Sequence, residues 1–206
     1  AAQLRAALGV PAVFTVHVHQ AALNRLRGVT ERTMSLDGQL RALAEADLVL
    51  APSASCAASV RVDHPSLEVA VARLGIFDTA AARAAVADRV PGSGTLLYVG
   101  RFADVKGTGA FFELCRRALA RHPDLEATMV GGLPDNARAD RRWRRRWVED
   151  TPPDLADRLR FAGWRGAAEV SQQLAAARVL VVPSWTETFG LTALEGMLHG
   201  APVVAS

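Results

Sequence analysis

The chain has 206 residues, 50% hydrophobic and 22% charged, which is an ordinary globular composition and fits one large domain or two smaller ones. Its net charge of +3 is modest, and no apolar run approaches the roughly 18 residues that a membrane-spanning helix needs, so composition favours neither a nucleic-acid partner nor an integral membrane protein. Residues 1–20 lack the basic start, the apolar core and the cleavage site of a signal peptide, and we therefore expect a cytoplasmic protein.

The N-terminal half begins with a predicted strand from Val10 to His19, an apolar run with the character of a buried strand. Because side chains alternate along a strand, Thr15, His17 and His19 are predicted to share one face. A histidine at the end of a strand can face a ligand, and a solvated loop histidine explains the same residues equally well. A loop is predicted to follow from Asn24 to Thr30.

Two helices and two strands are predicted next. The apolar spacing indicates a helix that begins at about Glu31 and ends near Asp47. A short strand over residues 48–51 leads into a helix with Ser53 as its N-cap. A further strand is predicted from Leu67 to Leu74.

Residues 91–94, Pro-Gly-Ser-Gly, have the most linker-like composition in the chain. They follow an Ala-rich helix predicted from about Thr79 to Asp88. We therefore predict two domains, residues 1–90 and residues 91–206.

The second half alternates strands and helices regularly, which is typical of a doubly wound parallel sheet. The clearest helix runs from Gly109 to Arg121 and turns its apolar side chains toward the sheet. The predicted strands of this half are Thr95–Val99, Leu125–Val130, Leu159–Ala162, Val179–Val182 and Pro202–Ala205.

The first of these strands ends in the loop V-G-R-F-A-D-V-K-G, residues 99–107. Gly100 allows a sharp turn there, and Arg101 and Lys106 follow at the carboxyl edge of the sheet. Such a pair can bind a diphosphate, Arg through its planar fork and Lys as a point charge, although a solvated basic loop is the ordinary alternative. The loop matches neither G-x-G-x-x-G nor G-x-x-x-x-G-K-[ST], which excludes those two nucleotide motifs.

Residues 141–147, R-R-W-R-R-R-W, form the densest cluster of charge. Trp143 and Trp147 are four positions apart and lie on one helix face, which predicts an amphipathic surface helix with its tryptophans packed inward. Docking onto an anionic membrane is the sharper alternative, because basic and aromatic residues suit that interface. Nucleic-acid binding ranks third, since nothing else in the chain supplies a basic groove.

The segment P-S-W-T-E-T-F-G-L-T-A-L-E-G follows the strand at 179–182 and leads into a helix. The amides at the helix start, near Phe189, Gly190 and Leu191, have no partners within the helix and favour phosphate or hydroxyl-rich ligands. Gly190 also removes a side chain that would keep a ligand off those amides. Glu187 and Glu195 flank this turn with seven residues between them, although either could be an ordinary helix or loop charge.

Four separated strings resemble the retaining glycosyltransferases of family GT4: T-V-H ending at His17, G-R-x4-K-G, F-A-G-W, and P-S-x-x-E-x-F-G-x4-E-G. The resemblance implies an α/β GT-B fold, with two Rossmann-like doubly wound parallel-sheet domains facing a cleft. Residues 1–90 would then be the C-terminal part of the N-terminal, acceptor-side domain, and residues 91–206 the donor domain without its end. Both domains are expected to be incomplete, so that the chain is an internal fragment with little activity of its own.

The resemblance also assigns roles to residues. Arg101 and Lys106 would neutralise the departing diphosphate, and Glu187 would hydrogen-bond the donor sugar. Glu195 would bind the ribose hydroxyls, and His17 would approach the sugar from the other domain. The residues implied to bind the donor are Gly100, Arg101, Lys106, Trp164, Arg165, Glu187, Phe189, Gly190, Leu191 and Glu195, with Trp164 and Arg165 beside the base; those implied in catalysis are Glu187, Lys106, Arg101 and His17.

The implied reaction transfers a sugar from a UDP- or GDP-linked donor to the hydroxyl of a small-molecule, glycan or lipid acceptor, with retention of configuration and without a cofactor or metal. The chain contains no Asp-x-Asp motif. A GT-B sugar-nucleotide epimerase and a non-catalytic module that binds sugar nucleotides remain alternatives. The expected partners are the donor and the acceptor, with a peripheral membrane contact through 141–147 as the alternative stated above, and no nucleic acid.

Overall fold

A computed structural model of the protein describes residues 7–30, 34–76, 84, 86–87, 94–132 and 137–206. The chain divides into two compact units, Ala1–Gly75 and Ile76–Ser206, called unit 1 and unit 2 below. The helix predicted over 79–88 and the linker predicted over 91–94 lie outside the described residues, apart from residues 84, 86, 87 and 94. A domain boundary at residues 90 and 91 therefore stays a prediction.

The described part of unit 1 contains one parallel sheet, with its strands in the order β1-β2-β3. Phe14 lies opposite Val49, and Val49 lies opposite Val69. The elements are β1 (Val13–Thr15), α1 (Gln20–Leu26), α2 (Met34–Glu45), β2 (Leu48–Ala51), α3 (Ala54–Asp63) and β3 (Val69–Val71). As predicted, Ser53 caps α3: its Oγ accepts a hydrogen bond of 3.1 Å from the Cys56 amide.

The core of unit 1 lies between the central strand and helices α2 and α3. Apolar spacing on α2 places Leu43 in this core, as the sequence predicts. The buried core side chains are Val16, Leu43, Val49, Ala51, Cys56, Ala57, Val60 and Val69.

The prediction of a buried strand over Val10–His19 is wrong. Strand β1 has three residues, lies at an edge of the described sheet, and exposes Val13. Its pairing ends where the Val16 amide donates to the Leu50 carbonyl at 2.8 Å, after which the backbone bends. His17 is therefore exposed and His19 is buried, so these two histidines do not share a face.

The loop predicted from Asn24 to Thr30 is also wrong at its start, because α1 continues to Leu26. This helix is held at its start by side-chain hydrogen bonds. The Gln20 amide donates to Gln39 Oε1 at 2.7 Å, and Gln20 Nε2 donates to Asn24 Oδ1 at 2.7 Å. The helix also consists mostly of strong helix formers, Gln, Ala, Leu and Arg, so local propensity supports it as far as Leu26.

Unit 2 is a parallel sheet in the order β6-β5-β4-β7-β8. All five strands predicted for the second half are confirmed, each within two residues of the predicted ends. The elements are β4 (Leu96–Gly100), a 3-10 helix (Asp104–Lys106), α4 (Thr108–Arg121), β5 (Ala127–Gly131), α5 (Ala137–Glu149), α6 (Pro153–Ala156), β6 (Leu159–Gly163), α7 (Ala167–Ala176), β7 (Val179–Val182), α8 (Leu191–Leu198) and β8 (Val203–Ala205).

Helices cover both faces of this sheet, as expected for buried parallel strands. Alternation along β4 sends Tyr98 into the core on the side of α4 and α5, and Leu97 into the core on the other side. The first core also contains Phe111 of α4, and the second contains Leu174 of α7. The strands of unit 2 are therefore fixed by burial on both sides.

Helix α5 confirms the amphipathic interpretation of the R-R-W-R-R-R-W segment. Trp143 and Trp147 are buried, with ring centroids 5.9 Å and 5.1 Å from that of Phe112 on α4. Trp147 Nε1 also donates a 2.9 Å hydrogen bond to the Ala156 carbonyl. The arginines of the segment are exposed.

The strand order of unit 2 reverses between β4 and β7. After β4 the chain adds β5 and β6 on one side, and it then crosses back to add β7 and β8 on the other. The loops that leave β4 and β7 therefore diverge and open a crevice at the carboxyl ends of the strands, where ligands of open parallel sheets bind. Among the described helices, none has the length and apolar character needed to cross a lipid bilayer.

Candidate functional site

The loops after β4 and β7 meet at this crevice in an ion pair. Lys106 Nζ lies 2.7 Å from Glu187 Oε1, although the two residues are 81 positions apart. Their side chains are 29% and 30% exposed, so a solute can reach them, and a pair with this exposure contributes only about 0–1 kcal/mol to stability. A cation and a carboxylate are thus held together at the place where the topology predicts a ligand.

Lys106 is the only lysine among the 24 lysine and arginine residues of the chain. Arginine serves at every other basic position, and a lysine at this one supplies a compact charge with three rotatable donors.

The loop that carries Lys106 is packed against the end of β7. Gly107 has a φ of +67°, and a Cβ at this position would lie 1.8 Å from the Pro183 carbonyl oxygen, so glycine is required. The Trp185 amide also donates to the Val105 carbonyl at 3.0 Å. The 3-10 helix is thereby joined to the segment that leads to Glu187.

A small, partly open cavity of about 30 Å³ adjoins the ion pair. Gly100 lines this cavity together with Lys106 and Glu187. The lining residues are Tyr98, Val99, Gly100, Lys106, Val181, Val182, Pro183, Ser184, Glu187 and Thr192.

Helix α8 begins directly after this loop. Gly190 is its N-cap with a φ of +81°, which gives a conformational reason for glycine beyond the predicted access to the amides. Phe189 is half-buried and Leu191 is exposed. Glu195 lies one turn further along, half-buried, and burial raises the pKa of its carboxyl while nearby His199 opposes the shift.

Three further predicted donor residues, Arg101, Trp164 and Arg165, are exposed. Arg101 directly follows Gly100 and is exposed. Trp164 and Arg165 follow β6, which is separated from β4 by β5. Trp164 is 59% exposed, and Arg165 Nε lies 3.5 Å from Glu169 Oε1. A contact of Trp164 and Arg165 with a base stays a prediction.

His17, the fourth residue assigned to catalysis, lies in an exposed bend of unit 1. His19 is instead buried against α3, with Nδ1 2.9 Å from Ser59 Oγ and Nε2 3.4 Å from Asp63 Oδ2. Burial lowers the pKa of His19 even though the Asp63 carboxylate acts in the other direction. His19 is thus part of the packing of unit 1 against α3. The role of His17 stays a prediction.

Four residues at the site were missed by sequence reasoning. Tyr98, Ser184 and Thr192 line the cavity, and Trp185 is 58% exposed beside it on the loop after β7. Tyr98 could have been identified, because the hydroxyl of a tyrosine in a buried strand needs a hydrogen-bond partner. The others carry no charge or spacing that distinguishes them from ordinary loop and helix residues.

A sequence profile described as Glycosyl transferases group 1 matches residues 93–206. The match covers more than half of the chain and includes both loops of the ion pair. The chain belongs to glycosyl transferases group 1. The resemblance to family GT4 that the motifs indicate is thereby confirmed.

Curated members of this family share identity with almost the whole chain. The D-inositol 3-phosphate glycosyltransferase of Mycobacteroides abscessus is 32% identical over 215 residues, covering 96% of this chain and 46% of that protein. The protein of the same name from Acidothermus cellulolyticus is 31% identical over 217 residues, covering 96% and 47%. The chain therefore spans about half the length of the curated relatives it matches.

Solved structures of similar fold confirm the α/β GT-B class. Sucrose-phosphate synthase from Thermosynechococcus elongatus superposes with a TM-score of 0.74 at 25% identity, covering 98% of this chain and 52% of that one. HepE from Anabaena, in complex with UDP and glucose, gives a TM-score of 0.66 at 22% identity, covering 99% and 55%. The two parallel sheets of the chain, one in each unit, fit this fold class.

Proposed function

We propose that this group 1 chain supplies the donor site of a glycosyltransferase that moves a sugar from a nucleotide-diphosphate sugar to an acceptor hydroxyl, with retention of configuration and without a metal or other cofactor. The observation that carries the proposal is the contact between Lys106 and Glu187 at the switch point of the unit 2 sheet. It puts a cation for a phosphate and a carboxylate for sugar hydroxyls within one hydrogen-bond length of each other.

In the proposed reaction the acceptor oxygen forms a bond to the anomeric carbon as the bond from that carbon to the diphosphate oxygen breaks. The acceptor proton passes to an oxygen of the departing diphosphate, on the face from which the sugar is attacked. Negative charge grows on the diphosphate, and Lys106 and Arg101, with the amides at the start of α8, stabilise it without reorganising. We assign His17 of unit 1 to the same catalytic step.

Donor binding in this proposal exchanges partners at the ion pair. Lys106 and Glu187 are paired with each other at 2.7 Å, so on donor binding Lys106 turns from Glu187 to the phosphate, and Glu187 turns to the sugar hydroxyls. Glu195 accepts hydrogen bonds from the ribose, and Trp164 and Arg165 contact the base. The donor is linked to UDP or GDP.

Because Lys106 is the only lysine, amine-selective acylation tests donor binding directly. The reagent labels Lys106 and the N-terminal amine, and UDP or GDP is expected to protect Lys106 alone. The N-terminal amine is the internal control. Equal labelling with and without each nucleotide, together with no thermal shift on UDP- or GDP-sugars, would reject the proposed donor site.

Turnover is measured on the protein at its natural length, in EDTA and with a panel of nucleotide sugars and acceptors. A glycosyltransferase forms a glycoside whose anomeric configuration, read by NMR, matches the donor. Loss of turnover in EDTA would refute metal independence, and an inverted product would refute retention. An epimerase would release nucleotide and a modified sugar without an acceptor, and a non-catalytic module would bind the donor and form no product.

Contact with a membrane through residues 141–147 is a separate part of the proposal. Trp143 and Trp147 are buried in the core and cannot insert into a bilayer. The membrane contact would therefore be made by the exposed arginines with anionic lipid headgroups. We expect co-sedimentation with anionic vesicles and none with neutral vesicles, and a weaker effect in an Arg141→Gln, Arg142→Gln, Arg145→Gln variant. No sedimentation with either vesicle ends this part of the proposal and leaves the donor site untouched.

A further inference from the structure

Tyr98 lies beneath the loop that carries the two cations of the proposed site. It is on β4, its residue surface is 2% exposed, and its ring packs against Phe102 and Phe111 with centroid distances of 6.2 Å and 5.3 Å. Tyr98 is the only tyrosine of the chain. A buried phenol needs hydrogen-bond partners, and the loop above it supplies them.

The Tyr98 hydroxyl reaches both ends of that loop. It donates to the Arg101 carbonyl at 2.7 Å, and the Lys106 carbonyl and Thr108 Oγ1 each lie 3.3 Å from it. Thr108 Oγ1 in turn accepts from the Ala103 amide at 2.9 Å and donates to the Ala103 carbonyl at 3.1 Å. The single phenolic proton thus anchors the Arg101 carbonyl, and the Lys106 carbonyl lies within reach of the same proton.

This anchor keeps its proton at any ordinary pH. Burial raises the pKa of Tyr98 to about 12, and the Glu187 carboxylate acts in the same direction. The hydroxyl therefore remains a donor to the Arg101 carbonyl throughout the range in which a transferase works. Since its side chain is buried, Tyr98 has little surface to offer a substrate.

We propose that Tyr98 is a positioning residue: its hydroxyl holds the Arg101–Lys106 loop in the arrangement that lets both cations face one diphosphate. The inference rests on the proposed function, since it assigns the diphosphate as the ligand of that loop. A cation that is already in position contributes more to the free energy of diphosphate binding than a mobile cation does, because ordering a mobile side chain on binding costs conformational entropy.

The variant Tyr98→Phe tests this role, because it removes the hydroxyl and keeps the ring between Phe102 and Phe111. Thr128→Val is the matched control, since it removes a buried hydroxyl from the neighbouring strand β5, away from the loop. Hydrogen–deuterium exchange on the 206-residue chain without ligand should show faster exchange over residues 101–108 in Tyr98→Phe and unchanged exchange there in Thr128→Val.

Nucleotide affinity separates positioning from a general loss of stability. We expect Tyr98→Phe to weaken UDP or GDP binding about tenfold, the scale of one buried hydrogen bond. Binding of UMP or GMP, which lacks the second phosphate, should change by less than about twofold. The Thr128→Val control should preserve the ratio of diphosphate to monophosphate affinity even if it lowers the unfolding temperature.

Two results overturn the inference alone: unchanged loop exchange in Tyr98→Phe, or an unchanged diphosphate-to-monophosphate ratio while the wild-type chain binds the diphosphate. A wild-type chain that binds neither UDP nor GDP rejects the proposed function and with it the assigned ligand. Faster loop exchange in Tyr98→Phe would in that case still show that the hydroxyl holds the loop, which keeps the two failures distinguishable.

Discussion

The Glu187 carboxylate has two roles at the proposed site. It is the hydrogen-bonded partner of Lys106 at 2.7 Å, and it is the carboxylate proposed to bind the donor sugar. In the first role Glu187 competes with phosphate for Lys106. In the second it increases the affinity for a nucleotide that carries a sugar. Binding of the complete donor satisfies both charges, whereas binding of a free nucleotide diphosphate leaves Glu187 without its cation.

Replacing Glu187 by Gln should therefore separate nucleotide from nucleotide sugar. With the carboxylate gone, Lys106 is released, so we expect amine acylation of Lys106 to accelerate and UDP affinity to be equal to or higher than in the wild type. The preference for the UDP-sugar over UDP should fall, because one charged hydrogen bond to the sugar is lost, about 1.5–3 kcal/mol. Titration calorimetry with both ligands measures the difference.

Glu113→Gln is the matched control for that experiment. Glu113 also forms ion pairs, with Arg116 and Arg117, but it lies on the surface of α4. The Glu113→Gln variant should change neither the labelling of Lys106 nor the affinities for UDP and the UDP-sugar. An unchanged acylation rate of Lys106 and an unchanged preference for the UDP-sugar over UDP in Glu187→Gln would show that the ion pair controls neither the reactivity of Lys106 nor donor binding.

His19 gives unit 1 a dependence on pH. Burial lowers the pKa of His19 in the folded protein below its usual value of about 6.5. The unfolded chain therefore binds more protons between the lowered pKa and about 6.5, so the free energy of unfolding should decrease as the pH falls through that window. Far-UV circular dichroism during urea unfolding at several pH values measures the slope.

The variant His19→Gln should flatten that slope, because it removes the titrating ring and keeps a polar group near Ser59. Tryptophan fluorescence supplies an internal control, since all four tryptophans lie in unit 2. A slope of the same size in His19→Gln would assign the pH dependence to other groups.

At the scale of elements, the strands of unit 2 could be predicted and the start of unit 1 could not. Strands such as Val179–Val182 are buried on both faces, so each appears as a continuous apolar run bounded by turn residues. Strand β1 has a similar apolar content, but it lies at an edge of the described sheet and pairs over three residues only. Apolar content indicates where a strand can form, and pairing decides its length.

Helix α5 yields a prediction about packing. Trp147 is buried against Phe112 and donates to the Ala156 carbonyl, so Trp147→Ala removes a large core side chain and a hydrogen bond to α6. We expect a loss of about 3–5 kcal/mol in the free energy of unfolding of unit 2. Urea unfolding followed by the fluorescence of the remaining tryptophans measures it.

Val148→Ala is the control on the same helix, because Val148 is exposed and its replacement should cost less than about 0.5 kcal/mol. Equal losses in the two variants would mean that α5 is not held by its tryptophan face. Retention of anionic-vesicle binding in a folded Trp147→Ala protein would fit a contact made by arginines alone.

At the scale of the whole molecule, the sequence allowed the site to be located but not its internal contacts to be predicted. Parallel strands that alternate with helices bring loop ends to one sheet edge, so the convergence of the loops after β4 and β7 follows once those strands are neighbours. The ion pair between Lys106 and Glu187 depends on side-chain rotamers, and the anchor at Tyr98 depends on the path of a loop. Neither leaves a periodic signal in the sequence.

The division into units places Gly100, Lys106, Glu187 and Glu195, all proposed to bind the donor, in unit 2 and His17 in unit 1. Because unit 2 has its own two-sided core, we expect residues 76–206 produced alone to fold with a cooperative unfolding transition. UDP or GDP should protect Lys106 in this fragment as in the 206-residue chain. A fragment that folds cooperatively but shows no protection would mean that nucleotide binding draws on residues of unit 1, and the donor site would then have to be redrawn to include them.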